Sequence, residues 1–368
     1  MKLAFIITGL GLGGAEKQVS ALIDEFKSQD DEIILISLTG ETIVTPKDKT
    51  IKIYSLMMKK NPWSQLVAAY TIIKTLRNFK PDVIHSHMFH ANILARIYRL
   101  FCLPNALICT AHNTNEGGFF HVLAYRITDR LASKTTNVSQ EAVDAFVRLK
   151  AAPAHRISTV HNGIDTQLFH FNLADRKSIR DSLGLDKDTS VFINIGRFHP
   201  QKDHQNLITA FSQLKEEKKI LLLVGDGPLR NEIESTIAAL EMTDKIKLLG
   251  ARDDIPALLS ASDVFVLSSA YEGFPLVVGE AMACERVVVA TNCGGPKEFL
   301  GDCGFIIPPA DAQALARGLE QAILLSKDEK EIAGKAARQR VISYFSLNAA
   351  VAEWKKIYRT VSLKTKSA

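Results

Sequence analysis

The chain has 368 residues, 46% of them hydrophobic and 23% charged, with a formal net charge of +5; this is the balance of an ordinary globular protein and excludes a disordered or collagen-like one. The length exceeds what a single hydrophobic core commonly serves, so two domains are expected. No apolar run approaches the roughly 20 residues of a membrane helix, and Leu3 to Leu10, preceded only by Lys2 and followed by glycines, reads as a buried first strand rather than an export signal.

In chain order, strands are expected at Leu3–Thr8, Ile33–Leu38, Val83–Ser86, Leu107–Ala111, Lys134–Asn137 and Ile157–Val160, with helices filling the gaps. One helix, Trp63 to Phe79, places Leu66, Val67, Tyr70, Ile73 and Leu76 near one face, which predicts packing of that face on the sheet. A polar stretch from Asp165 to Asp188 reads as a linker with a short helix. The alternation restarts with strands at Ser190–Ile195, Ile220–Val224, Lys245–Leu249, Val264–Leu267, Val287–Ala290 and Gly304–Ile307, and Leu347 to Val361 reads as a long final helix. Strands and helices alternating in this way predict parallel sheets with helical crossovers, one doubly wound domain in each half. Ligands in such folds bind beyond the carboxyl ends of the strands, which places the active site in a cleft between the two domains.

Charge is uneven: residues 1–165 hold 19 Lys and Arg against 14 Asp and Glu, residues 166–368 hold 26 against 26. The excess collects in Lys59, Lys60, Lys74, Arg77, Lys80, Arg96 and Arg99, which face only Asp82. Such a stretch is either a solvated helix face or an attraction for anionic lipid or a pyrophosphate-bearing acceptor. No aromatic platform or nucleic-acid motif accompanies it, so nucleic acid is not expected as a partner. The five cysteines, Cys102, Cys109, Cys284, Cys293 and Cys303, form no C-x-x-C pair, which points to reduced thiols in the cytoplasm rather than zinc or disulfides. His85, His87, His90 and His112 lack clustered Cys or carboxylate neighbours, so no metal is expected there.

Three motifs carry chemistry. Gly9-Leu-Gly-Leu-Gly13-Gly14 follows the first strand and reads as a phosphate-proximal loop, a plain turn or a nicotinamide site; the last lacks its ribose-binding acid, since Glu41 is the first acidic residue after the second strand. Arg197 and Lys202, in the loop after Ser190–Ile195, offer a planar fork and a point charge to a departing diphosphate, or form an exposed basic loop. In Ser269 to Ala283, Gly273 permits an unusual turn and Pro275 suits a helix start, so Glu272 is expected on a loop and Glu280 on the following helix, both facing one cavity. Free N–H groups of Leu276 and Val277 at that helix start would hold a phosphate.

Glu272 to Glu280 resembles the E-x7-E motif of the family 4 glycosyltransferases of the GT-B fold. Gly13-Gly14-Ala15-Glu16, Asp82-Val-Ile-His85-Ser-His87, Asn162-Gly163-Ile164-Asp165, Gly196-Arg197 with Lys202-Asp203, Val224-Gly225-Asp226-Gly227-Pro228 and Gly294-Gly295 with Glu298 agree with it in order. The sequence departs from that pattern at His161, where a proline commonly precedes Asn-Gly, and at Pro296, one place early in its turn. The resemblance implies two Rossmann-like domains facing a central cleft: residues 1–167 for the acceptor, 168–345 for the nucleotide sugar, and 346–368 crossing back to the first. It implies that Glu280 binds the ribose, that Glu272 with its neighbours Gly273 and Phe274 lies at the transferred sugar, and that Arg197 and Lys202 hold the diphosphate with help from Gly13 and Gly14. Arg252 then meets the nucleobase, and His112 contacts the sugar near the reacting centre.

The function expected is a retaining transfer of a hexose or N-acetylhexosamine from a nucleoside diphosphate sugar, UDP-linked, to a glycan or polyprenyl-pyrophosphate-linked acceptor. It would need no metal or cofactor and would occur at the inner face of the bacterial plasma membrane during surface-polysaccharide assembly. A GT-B epimerase or phosphorylase, and a non-catalytic sugar-nucleotide-binding protein, are the alternative readings.

Overall fold

The computed structural model describes residues 1–11, 13–40, 42–102, 106–114 and 117–366, so Glu41 lies outside the described residues. The chain divides into two compact units, Met1–Gly163 with Leu347–Ala368, and Ile164–Ser346. The division falls after Gly163 rather than after residue 167, because the Ile164 N–H donates to the Phe345 carbonyl at 2.7 Å and ties this segment to the second unit.

The first unit runs β1 (Lys2–Ile7), α1 (Gly14–Lys27), β2 (Glu32–Ser37), β3 (Lys52–Ser55), α2 (Pro62–Phe79), β4 (Val83–His87), α3 (Phe89–Cys102), β5 (Ala106–Ala111), α4 (Phe119–Thr128), β6 (Lys134–Asn137), α5 (Gln140–Arg148) and β7 (Ile157–Thr159). Its seven parallel strands take the order β3-β2-β1-β4-β5-β6-β7. The interior strands β1, β2 and β5 carry apolar residues on both faces because helices cover both, whereas β6 is polar along its length. Val19, Leu22 and Phe26 of α1 pack on one face together with Trp354 and Tyr358 of the last helix, and Ile72, Leu76, Ala91 and Ala95 of α2 and α3 pack on the other. The edge strand β3, with no fully buried residue, escapes the sequence pattern.

Two expectations are corrected here. The buried side of α2 is Ala68, Ile72 and Leu76, while Trp63, Leu66, Val67 and Tyr70 face solvent. The helix is apolar nearly all round, so periodicity offers two candidate stripes and cannot choose between them. Arg96 is no part of a basic surface: it is fully buried, donates to the Tyr125 carbonyl, Thr128 and Thr135, and lies over the Tyr125 ring. Arg99, half-buried, donates to the Leu131 carbonyl.

The second unit runs α6 (Leu173–Ser182), β8 (Ser190–Ile195), α7 (His204–Ser212), β9 (Lys219–Val224), α8 (Arg230–Ala239), β10 (Ile246–Gly250), α9 (Ile255–Ala261), β11 (Val264–Leu267), α10 (Leu276–Ala283), β12 (Val287–Thr291), α11 (Pro296–Leu300), β13 (Phe305–Ile307), α12 (Ala312–Leu324) and α13 (Lys327–Arg340). Its parallel sheet has the order β10-β9-β8-β11-β12-β13. A π-helical turn, Val341–Phe345, leads to α14 (Leu347–Lys366), whose Val351, Trp354, Tyr358 and Val361 lie in the core of the first unit. Cys109, Cys284 and Cys293 are buried free thiols, and among the described residues no helix is long and apolar enough to cross a membrane.

Candidate functional site

In the second unit the chain leaves β8 toward one side of the sheet and β11 toward the other, so the loops after these adjacent strands flank a topological switch point, where open α/β sheets bind ligands. The β8 loop carries Arg197 and Lys202, and the β11 loop carries Glu272. The two loops are tied together: Ala270 N–H donates to the Gln201 carbonyl at 2.9 Å, and the Ser268 hydroxyl to the Lys202 carbonyl at 2.8 Å.

Glu272 is 9% exposed and well supplied with donors. Its Oε1 accepts from Lys202 Nζ at 2.6 Å and from Ser269 Oγ at 2.7 Å, and its Oε2 accepts from Gln201 Nε2 at 3.3 Å. Burying a carboxylate is costly unless it is paired and hydrogen-bonded in this way. Lys202 is therefore not a free cation; one of its three N–H donors is committed to Glu272 and the others remain for a ligand. Arg197 is exposed, and no hydrogen bond or ion pair holds its guanidinium among the described residues. Ser269 and Gln201 are site residues that motif reading missed, and the signal for them was the carboxylate's own need for donors.

Glu280 is half-buried on α10, about one turn along the helix from its start. Pro275 caps α10 without a side-chain hydrogen bond, so the N–H groups of Leu276 and Val277 have no intrahelical acceptor. Phe274 is buried, and its ring stacks on that of Phe299 with centroids 4.0 Å apart. The Gly273 carbonyl accepts from the Gly295 N–H at 3.2 Å, which pins the β11 loop to the turn before α11. Arg252, just past β10, is exposed and forks onto Asp254 at 2.8 and 2.6 Å.

In the first unit Gly13 caps α1 and Gly14 opens it, leaving backbone N–H groups free of side-chain caps. A Cβ on Gly13 would meet a Glu16 carboxylate oxygen at 2.3 Å, so a larger residue there would require that flexible side chain to swing aside. His112 follows β5, and its Nε2 lies 3.1 Å from His87 Nδ1, at the end of the neighbouring β4. His85, two residues earlier on the same strand face, bonds Tyr358 Oη at 2.6 Å and Thr110 Oγ1 at 2.7 Å, a structural role. Burial pushes His85 and His87 well below the usual imidazole range and His112 down to about 4, so all three are neutral at pH 7. Among the described residues no three His, Cys, Asp or Glu side chains are placed to share a metal ion.

Neutral buried histidines tie stability to pH. Their folded pKa values lie below the unfolded value near 6.5, so the unfolded chain binds more protons as pH falls. Their contribution is complete above about pH 6.5 and drains as pH falls below it, for His112 down to about pH 4, at no more than about 1.4 kcal/mol per pH unit for each ring. Urea unfolding at about pH 7, 6 and 5 is expected to show declining stability, less steeply in His85→Gln; equal stability at all three would contradict the neutral assignment.

Two Rossmann-like units, each with a phosphate-suited loop after its first strand, define a GT-B glycosyltransferase. Residues 12–168 match the Glycosyltransferase Family 4 profile and residues 175–340 the Glycosyl transferases group 1 profile. The chain belongs to the family 4 glycosyltransferases of the GT-B fold. It is 33% identical over 214 residues to N-acetyl-alpha-D-glucosaminyl L-malate synthase of Bacillus anthracis, covering 57% of this chain and 55% of that protein, so it spans about half the length of this relative. It is 28% identical over 310 residues to the UDP-Gal:alpha-D-GlcNAc-diphosphoundecaprenol alpha-1,3-galactosyltransferase of Escherichia coli, 78% of each chain. Anabaena Alr3699/HepE, solved in complex with UDP, shares the fold with a TM-score of 0.85 and 23% identity, over 98% of this chain and 100% of that one.

Proposed function

We propose that this enzyme moves a hexose or N-acetylhexosamine from a UDP-sugar to a lipid-linked or glycan acceptor in bacterial surface-polysaccharide assembly, with retention of configuration and without a metal. The observation that carries the reading is the Lys202–Glu272 pair beside the unengaged Arg197 at the switch point of the second unit. A relative that takes UDP-Gal to an undecaprenyl diphosphate-linked acceptor supports the substrate class.

In this mechanism Arg197, the spare N–H donors of Lys202 and the N–H groups of Leu276 and Val277 take up charge as the C1–O bond to the diphosphate breaks. Glu272 orients the sugar hydroxyls, and Glu280 accepts from the ribose. The acceptor oxygen bonds C1 from the face the diphosphate leaves, and its proton passes to the departing phosphate oxygen. His112, neutral at pH 7, donates or accepts a hydrogen bond at the sugar without carrying charge.

Thermal shift with a panel of UDP-, GDP- and ADP-sugars identifies the donor, since a specific ligand stabilises the folded state by mass action. Turnover is expected to require an acceptor, to survive excess EDTA and to yield an α product from an α-linked donor, read by NMR of the anomeric proton. A β product, or activity lost in EDTA and restored by magnesium, overturns the mechanism; conversion of donor without acceptor points to an epimerase or hydrolase. Glu280→Ala is expected to weaken binding of bare UDP by about 1.5–3 kcal/mol, the value of a hydrogen bond to a charged group. Unchanged UDP affinity in calorimetry removes Glu280 from the ribose.

A further inference from the structure

The outward face of α2 carries more apolar surface than a solvated helix keeps. At about 100° per residue, Leu66, Tyr70, Trp63 and Val67 fall within one arc of about 100°, and Lys74 and Arg77 lie in the same arc. Trp63 is 76% exposed, and Leu66, Val67 and Tyr70 are exposed beside it. Lys74 Nζ stands 5.9 Å from the centre of the Tyr70 ring.

This face continues onto the neighbouring helices. His90 at the start of α3 has its pKa lowered by burial first, then by His121 on α4 and Lys60 just before α2, and its ring lies 6.4 Å from that of His121. Next to His121, at the first turn of α4, Phe119 and Phe120 are both exposed, Phe120 at 81%. The starts of α2, α3 and α4 thus form one end of the first unit, the end reached by the carboxyl termini of β4 and β5, where His112 sits. Bulky aromatics with cations and almost no acid are the composition of an interfacial membrane surface, because rings settle at the headgroup level while lysines meet anionic lipid.

We infer that the starts of α2 and α4 insert into the interface of an anionic bilayer, with Trp63, Leu66, Tyr70, Phe119 and Phe120 as the apolar wedge and Lys59, Lys60 and Lys74 as the electrostatic rim. The inference extends the proposed lipid-linked acceptor: the bilayer holds the end of the unit where the acceptor has to arrive. Apolar insertion and charge attraction respond differently to salt, since the second is screened over about 8 Å at physiological ionic strength and the first is not.

Trp63 serves as the probe, because the other tryptophan, Trp354, is buried at 3% exposure. The full chain is mixed with vesicles of phosphatidylglycerol and phosphatidylethanolamine. Trp63 emission is expected to shift to the blue and to be quenched by lipids brominated on their acyl chains, and binding is expected to weaken in high salt without vanishing. L66S/Y70S and, separately, F119S/F120S are expected to lower the vesicle partition coefficient about tenfold or more while leaving the thermal midpoint and the affinity for bare UDP unchanged. Vesicle binding without bromolipid quenching, binding abolished by salt alone, or burial of the patch in a dimer detected by sedimentation each overturns the inference. Vesicle binding needs no donor, so failure of the transferase reading shows in the sugar-nucleotide assays and leaves this result standing.

Discussion

Lys202→Ala is expected to lower turnover about a hundredfold or more, with a smaller loss of donor affinity. Removing one preorganised charge from a developing leaving group costs on the order of 10² in rate. The same substitution strands Glu272, which is buried and loses the cationic partner at 2.6 Å while Ser269 and Gln201 still donate to it. Breaking a buried pair from one side costs about 3 kcal/mol of stability, mostly because an uncompensated charge remains. The two losses separate in a double variant: adding Glu272→Gln to Lys202→Ala removes the stranded charge and is expected to restore most of the stability but none of the rate. Arg197→Ala, with no protein partner to strand, is expected to lower the rate with little effect on stability. Near-normal turnover in both single variants would place the diphosphate elsewhere.

This pairing shows how far the sequence could be read. Buried parallel strands show as near-continuous apolar runs, so β8 and β11 are legible to the residue, and the alternation with helices leads directly to two doubly wound units. The edge strand β3 has no such run, because an edge of four half-exposed residues has little core to fill. The face of α2 was unreadable for the opposite reason, too many apolar positions rather than too few. Arg197, Lys202 and Glu272 could be found from charge and glycine punctuation, yet the ion pair joining two of them could not, since it depends on the β8 and β11 loops meeting across 70 positions. The same holds for His85, whose Tyr358 partner lies 273 positions away. Side-chain type announces chemistry, and only the path of the backbone decides which groups are spent on one another.

Gly225→Ala is expected to destabilise the second unit by about 3 kcal/mol and to weaken donor binding, whereas Gly184→Ala should cost about 1 kcal/mol or less. Both glycines have positive φ, but +65° at Gly184 lies in the left-handed region other residues can reach, while +141° at Gly225 lies where essentially only glycine is found, so backbone preference already favours the same ranking. The space around them differs. A Cβ on Gly184 meets nothing within 4 Å, while a Cβ on Gly225 would stand 2.0 Å from the Gly196 carbonyl oxygen and 2.9 Å from its carbon. Those are backbone atoms held by the sheet: the Gly196 N–H donates to the Val224 carbonyl at 2.9 Å, and the Gly225 N–H to the Gly250 carbonyl at 2.8 Å. Relief requires the ends of β8 and β9 to part, and Arg197 follows Gly196 directly, so the displacement reaches the cation assigned to the diphosphate. Comparing the two variants by thermal unfolding and UDP calorimetry tests this chain of contacts. Equal midpoints with equal UDP affinity would mean that the loop after β8 yields freely, and the case for a preorganised phosphate loop there would fall with it.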